Sequence, residues 1–117
     1  MRRDANCFVC KIAAGEIPAS KVHEDEHCLA FNDLNPQAPT HILIIPREHI
    51  ARVDEAVDTD ARLLGHLLLT AGRIADKAGL KEGGFRLAIN SGAGAGQSVF
   101  HIHIHLLGGR PFNWPPG

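Results

Sequence analysis

The sequence has no excess of charge of either sign: 12 Lys and Arg stand against 13 Asp and Glu, for a formal net charge of -1. Electrostatic binding to nucleic acids or anionic membranes needs a basic face, and this composition argues against one. There is no continuous apolar run long enough for a membrane span, and no charged start followed by an apolar stretch and small residues. We therefore expect no nucleic-acid partner, no membrane contact and no export.

Cysteine is also scarce. The chain has three, Cys7, Cys10 and Cys28, and an odd number is a poor basis for a disulfide framework. A reducing cytoplasm is the setting we expect for such a chain. No repeat or linker interrupts the 117 residues, a length that suits one domain with one core. We predict a single domain over residues 1–117, with a loose start at 1–6 and an extended tail at 108–117.

What stands out is an alternating run from His101 to Leu107. A period of two predicts a β-strand, and it places His101, His103 and His105 on one face and Ile102, Ile104 and Leu106 on the other. Imidazole titrates near neutral pH and serves as nucleophile, acid, base or metal ligand. A partly exposed strand with polar residues outward is the plainer alternative, but packing alone does not require three such rings.

Hydrophobic spacing predicts the other elements. A short helix at about 8–14 ends at Gly15, and a long helix begins at Asp58–Asp60 and ends before Gly79. The long helix carries a wide apolar stripe, which we expect to cover the sheet and face Ile102 and Ile104. Further strands are predicted at 21–24, 28–33, 40–46 and 85–90.

The stretch Ser91–Ser98 contains three glycines just before the histidine run. Glycine lets backbone N–H groups approach an anion closely. The stretch lacks the Gly-Lys-Ser/Thr ending of a P-loop and is no dinucleotide fingerprint, so alone it reads as a flexible hairpin connection. Its position beside three imidazoles favours a site for a transferring phosphoryl group.

Cys7 and Cys10 form a Cys-x-x-Cys pair. A redox pair is disfavoured because no βαβ pattern surrounds it. Two readings stay open at this point: buried, inert thiols, or half of a zinc site that needs two ligands from elsewhere. Among the isolated histidines, His41 opens a buried strand and is more often structural than catalytic at such a place, and His66 receives no role.

Taken together, the motifs resemble those of the histidine-triad (HIT) superfamily, and its Hint branch in particular. The alternating run has the family's His-apolar-His-apolar-His-apolar-apolar pattern, and the similarity covers nearly the whole chain from Cys7 onward. Other matching stretches are Asn35–His41, Ile45–Pro46 with His49, Gly96–Ser98, and the tail ending Trp-Pro-Pro-Gly.

The resemblance implies an α+β fold with a five-stranded antiparallel sheet, one long helix and a short N-terminal helix. It implies a homodimer whose two sheets join. It also implies hydrolysis of purine nucleotidyl substrates, typically nucleoside phosphoramidates, through a nucleotidyl-histidine intermediate. That chemistry needs no metal.

The resemblance further assigns roles to single residues. His103 matches the nucleophile and His105 the residue that contacts the phosphate and assists departure of the leaving group, while His101 and His41 match supporting positions. Around the phosphate the resemblance places Asn90, Gly96, Gln97 and Ser98, and it also counts Ser98 among the catalytic residues. It places Asp33 at the ribose and Trp114 in the partner subunit's site. The positions that contact the base are Val9, Ile12, Phe31 and Leu34. In zinc-containing relatives the ligands match Cys7, Cys10, His49 and His101, which would close a structural site.

Two other functions compete with this one. A metallohydrolase would use His101 and His103 as a pair of ligands that hold a catalytic water. A nucleotide-binding regulatory module would bind tightly and hydrolyse slowly, since a motif determines chemistry but not rate.

Overall fold

A computed structural model describes all residues 1–117 and contains one antiparallel sheet of five strands in the order β1-β2-β3-β5-β4. The elements are α1 (Phe8–Ala13), β1 (Lys21–Glu24), β2 (Cys28–Asn32), β3 (Thr40–Pro46), α2 (Ala61–Lys77), β4 (Phe85–Ala88) and β5 (Ile104–Gly108), with short 3-10 turns at Val53–Glu55, Asp58–Asp60 and Ala93–Ala95. The expected α+β architecture is confirmed. None of its helices combines the length and hydrophobicity needed to span a membrane.

The long helix α2 covers one face of the sheet. Leu67, Ala71 and Ile74 of its apolar stripe pack with Ile104 and Leu106 of β5 in the larger hydrophobic cluster. Burial of each large aliphatic side chain there contributes about 1.5–3 kcal/mol. The predicted contact with Ile104 is therefore confirmed, and this face of β5 belongs to the core.

The start of α2 differs from the prediction. Asp58–Asp60 form a 3-10 turn, and the α-helix begins at Ala61. The reason is local, because the Asp60 carboxylate accepts the Val57 N–H at 3.0 Å and so closes a tight turn before the helix. The end agrees: Gly79, with φ of 76°, follows the helix as its left-handed stop.

The short helix α1 covers part of the opposite face. Its smaller cluster consists of Cys7, Val9, Cys10, Ile12, Leu29, Phe31 and Ile45. A helix this short is only marginally stable alone, so its packing in this cluster stabilises it. The Cys7 sulfur also caps the helix by accepting the Cys10 N–H at 3.3 Å. The first six residues form no helix or strand, but Arg2 donates its N–H to Glu48 at 2.7 Å.

Strand β5 begins three residues later than predicted, at Ile104. The last residue pair between β3 and β5 is Ile44 with Ile104, so residues 101–103 lie outside the sheet. There the Ile102 N–H donates to the Ile50 oxygen at 2.7 Å. Ile102 is buried but lies outside the α2 cluster. Strands β2 and β4 are also shorter than predicted, ending at Asn32 and Ala88.

The tail after β5 is extended and attached by side chains. The Phe112 ring lies 4.3 Å from the Arg110 guanidinium and 5.2 Å from that of Arg86. Arg86 also donates to the Asn113 oxygen at 2.9 Å. Trp114 is 82% exposed, so nothing in its own chain covers the ring.

Candidate active site

His103 presents one free ring nitrogen. Its Nδ1 lies 2.7 Å from the main-chain oxygen of His101, and since that oxygen can only accept, Nδ1 carries the proton. The lone pair is therefore on Nε2, and the ring is partly exposed. A neutral imidazole held in this tautomer can attack an electrophilic phosphorus.

His105 presents the opposite polarity. The Gln37 N–H donates to His41 Nδ1 at 3.0 Å, so His41 Nε2 carries the proton and donates to His105 Nδ1 at 2.9 Å. The remaining His105 nitrogen, Nε2, is then an N–H donor. Burial, with smaller contributions from His103 and His41, lowers the pKa of His105 to about 4. Its ring is neutral near pH 7, and its centroid lies 5.0 Å from that of His103.

An apolar pocket lies on the same sheet face as His105. Phe31 pairs with Leu43, and Leu43 pairs with His105, so the three side chains stand in one row across β2, β3 and β5. The pocket encloses about 180 Å³. Its lining consists of Phe8, Ile12, Pro18, Ala19, Ser20, Phe31, Asn32, Asp33, Leu34 and Leu43.

Three of the four apolar residues predicted for a base slot line this pocket: Ile12, Phe31 and Leu34. The exception is Val9, which belongs to α1, has a buried side chain and does not line the pocket. Leu34 is 96% exposed. The sequence prediction missed Phe8 and Leu43, and only the register of β2 against β3 could have identified Leu43.

Asp33 follows the end of β2 at the pocket. Its Oδ2 lies 3.4 Å from His41 Nε2, and its Oδ1 accepts the Asn35 N–H at 2.8 Å. The carboxylate is partly exposed, so its remaining lone pairs can accept hydroxyl groups.

The glycine loop is held by one buried side chain. Gln97 Oε1 accepts the Gly92 N–H at 2.8 Å, while its Nε2 donates to the oxygens of Ala51 at 2.7 Å and Val99 at 3.1 Å. The expected flexible connection is thus a fixed loop, in which Gly92 and Gly96 adopt φ values of 91° and 97°.

This bonding limits what the loop offers an anion. The N–H groups of Gly96 and Gln97 bond to the oxygens of Ala93 and Gly92 inside the loop. Gln97 and Gly96 therefore shape the loop, whereas the side chain of Asn90 is partly exposed and that of Ser98 is exposed. Those two side chains remain the polar groups available for a ligand.

His101 belongs to a different cluster from His103 and His105. Its ring is 0% exposed, and its Nε2–H donates to the Pro46 oxygen at 2.8 Å. Burial lowers the pKa of His101 to about 4, so Nδ1 carries a lone pair. The predicted exposed face of three rings is therefore wrong for His101, because pairing with β3 begins only at Ile104 and His101, which precedes the strand, turns its ring inward.

His101 Nδ1 faces Cys7, Cys10 and His49. It lies 3.4 Å from the Cys7 sulfur, 3.6 Å from the Cys10 sulfur and 3.1 Å from His49 Nδ1. Zinc bond lengths in a tetrahedral site put such ligand atoms about 3.3–3.6 Å apart. The four residues named from the resemblance thus come together with a spacing and a donor set that fit zinc. Since both His101 nitrogens are committed here, a catalytic metal pair of His101 with His103 does not fit.

Comparisons with known proteins agree with this architecture. The HIT domain family model matches residues 14–112. An uncharacterized HIT-like protein of Synechocystis sp. is 55% identical over 107 residues, covering 92% of this chain and 93% of that protein. The crystal structure of a HIT family hydrolase from Legionella pneumophila superposes with a TM-score of 0.94 at 55% identity, over 96% of this chain and 100% of that one. A histidine triad protein from Clostridium difficile gives a TM-score of 0.92 at 41% identity, over 95% and 96% of the two chains. The chain belongs to the HIT family.

Proposed function

We propose that this chain is a hydrolase that cleaves purine nucleoside phosphoramidates through a covalent nucleotidyl-histidine intermediate on His103. The observation that carries the proposal is the tautomer of His103, whose Nδ1–H is held by the His101 oxygen while Nε2 stays free. A solved relative at 55% identity is named a hydrolase, which supports the reaction class.

In the first step His103 Nε2 forms a bond to phosphorus and the bond from phosphorus to the amine nitrogen breaks. The amine leaves with that electron pair and takes a proton from water. Because burial keeps His105 neutral, its Nε2–H serves as a hydrogen-bond donor to the charge that develops on the phosphoryl oxygens. The remaining hydroxide then attacks phosphorus and releases His103, so one water is consumed overall.

The neighbouring groups supply the binding site for the nucleotide. The apolar pocket beside α1 suits a purine base, and the Asp33 carboxylate at its edge suits the ribose hydroxyls. Asn90 and Ser98 are the polar side chains assigned to the phosphate. The open pocket also fits the competing regulatory module, which turnover measurements distinguish from an efficient enzyme.

Replacing His103 with Ala tests the proposal. We expect turnover of an adenosine phosphoramidate to fall by about 10³-fold or more, with AMP affinity retained, because only the bond-forming nitrogen is lost. Intact-mass measurement with a slowly hydrolysed analogue should show one nucleotidyl group on the wild-type chain and none on H103A. Turnover of H103A at the wild-type rate would refute the mechanism.

We also propose that Cys7, Cys10, His49 and His101 hold a structural zinc ion. The support is the compact donor set described above and the inward lone pair of His101. Four protein ligands leave no open position, so such an ion supplies a cross-link between α1 and the segment that carries His103, and no catalytic water.

A homodimer completes the proposal. Strand β4 lies at the edge of the sheet, with one side unpaired. Next to it Leu68, Leu69 and Phe85 are exposed around a groove of about 400 Å³. Continuation of the sheet across this edge would bury these side chains and bring each Trp114 toward the other subunit. Light scattering should give twice the chain mass, and L69K should give the monomer mass; a monomeric wild-type chain would contradict the dimer.

A further inference from the structure

A second cluster of metal-ligating side chains lies on the sheet face opposite His105. His23 pairs with Ala30, which belongs to the α2 cluster, so the His23 ring points toward α2. Ile104 and Leu106 turn the same way, whereas His105 points to the other side. The sheet therefore separates this cluster from the proposed active site and from the cluster around His101.

The cluster converges on one oxygen, Asp25 Oδ2. His23 Nε2 and His66 Nε2 each lie 2.8 Å from it, and the Cys28 sulfur lies 3.4 Å from it. The other oxygen, Oδ1, is used by the turn, since it accepts the N–H groups of His27 at 2.7 Å and Cys28 at 2.8 Å. The turn thus fixes the carboxylate with Oδ2 facing two imidazoles and a thiol.

We propose that His23, Asp25, Cys28 and His66 bind a second divalent transition-metal ion, of the zinc type. Imidazole, carboxylate and thiolate together are a donor set that such ions take and that Ca²⁺ and Mg²⁺ do not. The ligand atoms of His23, Asp25 and Cys28 all lie within 4.8 Å of one another. The separation of 3.4 Å between sulfur and oxygen fits a tetrahedral edge, and the two nitrogens, each 2.8 Å from Oδ2, need to open by about 0.5 Å from that oxygen. His66 lies outside the compact set of three, so its ring must also turn toward the other ligands when the ion binds.

The surroundings allow an ion to enter and to bind without excess charge. The side chains of His23, Asp25 and His66 are about a third exposed and open into a cavity of about 420 Å³ between α2 and the β1–β2 hairpin. Cys28 is fully buried behind the cavity wall, and its sulfur reaches the cluster through Asp25 Oδ2. Two negative ligands, the Asp25 carboxylate and the Cys28 thiolate, neutralise a divalent ion, and the thiol gives up its proton when the metal binds.

The first experiment counts zinc by mass spectrometry in full-length protein equilibrated with excess zinc and passed through a desalting column. We expect two ions in the wild-type chain and one in H23Q, H66Q or C10S. The matched control is H27Q, because His27 bonds to Asp25 through its main-chain N–H, which the substitution keeps, and its ring meets the His66 ring edge-on at 5.6 Å; this variant should keep two ions. A zinc content in H23Q and H66Q equal to that of the wild type would overturn the site.

A cobalt titration reads the site directly. In a C7S/C10S double variant the single remaining thiol is Cys28, so a thiolate-to-cobalt charge-transfer band can come only from the second cluster. We expect that band, and expect H66Q in this background to weaken cobalt binding by about 100-fold or more. Absence of the band would overturn the proposal. The cluster would then be a set of hydrogen bonds that connects α2 to the β1–β2 hairpin.

The two proposed zinc sites can fail separately. One zinc that is lost in H66Q but kept in C10S would support the second site and contradict the first. One zinc that is lost in C10S but kept in H66Q would do the reverse. Neither result depends on phosphoramidate turnover, so the proposed hydrolysis is tested independently.

Discussion

Two histidine clusters meet in the segment 101–105, and they differ in which ring nitrogen is free. In the buried cluster His101 donates from Nε2 to the Pro46 oxygen, so Nδ1 is left to face two thiols. In the open cluster His103 donates from Nδ1 to the His101 oxygen, so Nε2 is left to face the solvent. The residue type is the same, and the main-chain oxygen that each ring meets decides its chemistry.

The two clusters are joined through a single residue, His101. His101 contributes its ring to one cluster and its backbone oxygen to the other. A change that rotates the His101 peptide therefore alters the proton position on His103. The buried cluster should determine stability, and the open cluster should determine turnover.

The largest effect is expected from removing a thiol of the buried cluster. If zinc binds there, C10S loses the stabilisation that zinc binding gives the folded state. With free zinc at about 100 to 1,000 times its dissociation constant, this loss is about 3–4 kcal/mol. Chemical denaturation with and without zinc measures this difference. The variant H27Q, which changes none of the proposed zinc ligands, serves as the control.

If C10S and the wild type unfold at the same denaturant concentration both with and without zinc, the buried thiols are the inert pair. The inert-thiol interpretation of Cys7 and Cys10 would then stand. The H103A variant should show the opposite profile, with near wild-type stability and little turnover.

Much of the architecture follows from the sequence pattern, because alternation and helical spacing are local. The alternation through Ile104 and Leu106 identified the core face of β5, and the α2 stripe identified its packing partner. The burial of His101 was not predictable in this way, because it depends on where pairing with β3 ends. His66 and Asp25 lie 41 positions apart, and no local pattern connects them.

A smaller effect is expected at His41, which lies behind His105. In H41F the hydrogen-bond donor to His105 Nδ1 is lost, so His105 is free to carry its proton on Nδ1. Its Nε2 then presents a lone pair to the phosphate in place of an N–H. We expect kcat to fall by about 10- to 100-fold with AMP affinity nearly unchanged. Nitrogen chemical shifts of His105 should report the change of tautomer, and H41Q, which keeps a donor, should recover part of the rate. Unchanged shifts would show that His41 only fills space.

The last expected effect is a pH dependence that the open cluster adds to stability. The pKa of His105 is lowered by burial to about 4, from 6.5 for an ordinary histidine, so between these values the unfolded chain binds a proton that the folded chain does not. The free energy of unfolding therefore falls as pH decreases from about 6.5 to 4, and this contribution levels off below 4. Other groups titrate in the same range, so the informative quantity is the difference between the wild type and H105Q, with H103Q as the control at a neighbouring, partly exposed ring. The H105Q curve should be flatter over that window. If the two curves run parallel, His105 binds a proton as readily in the folded chain as in the unfolded one. The group assigned as a neutral hydrogen-bond donor to the phosphoryl oxygens would then be a protonated imidazolium in mild acid.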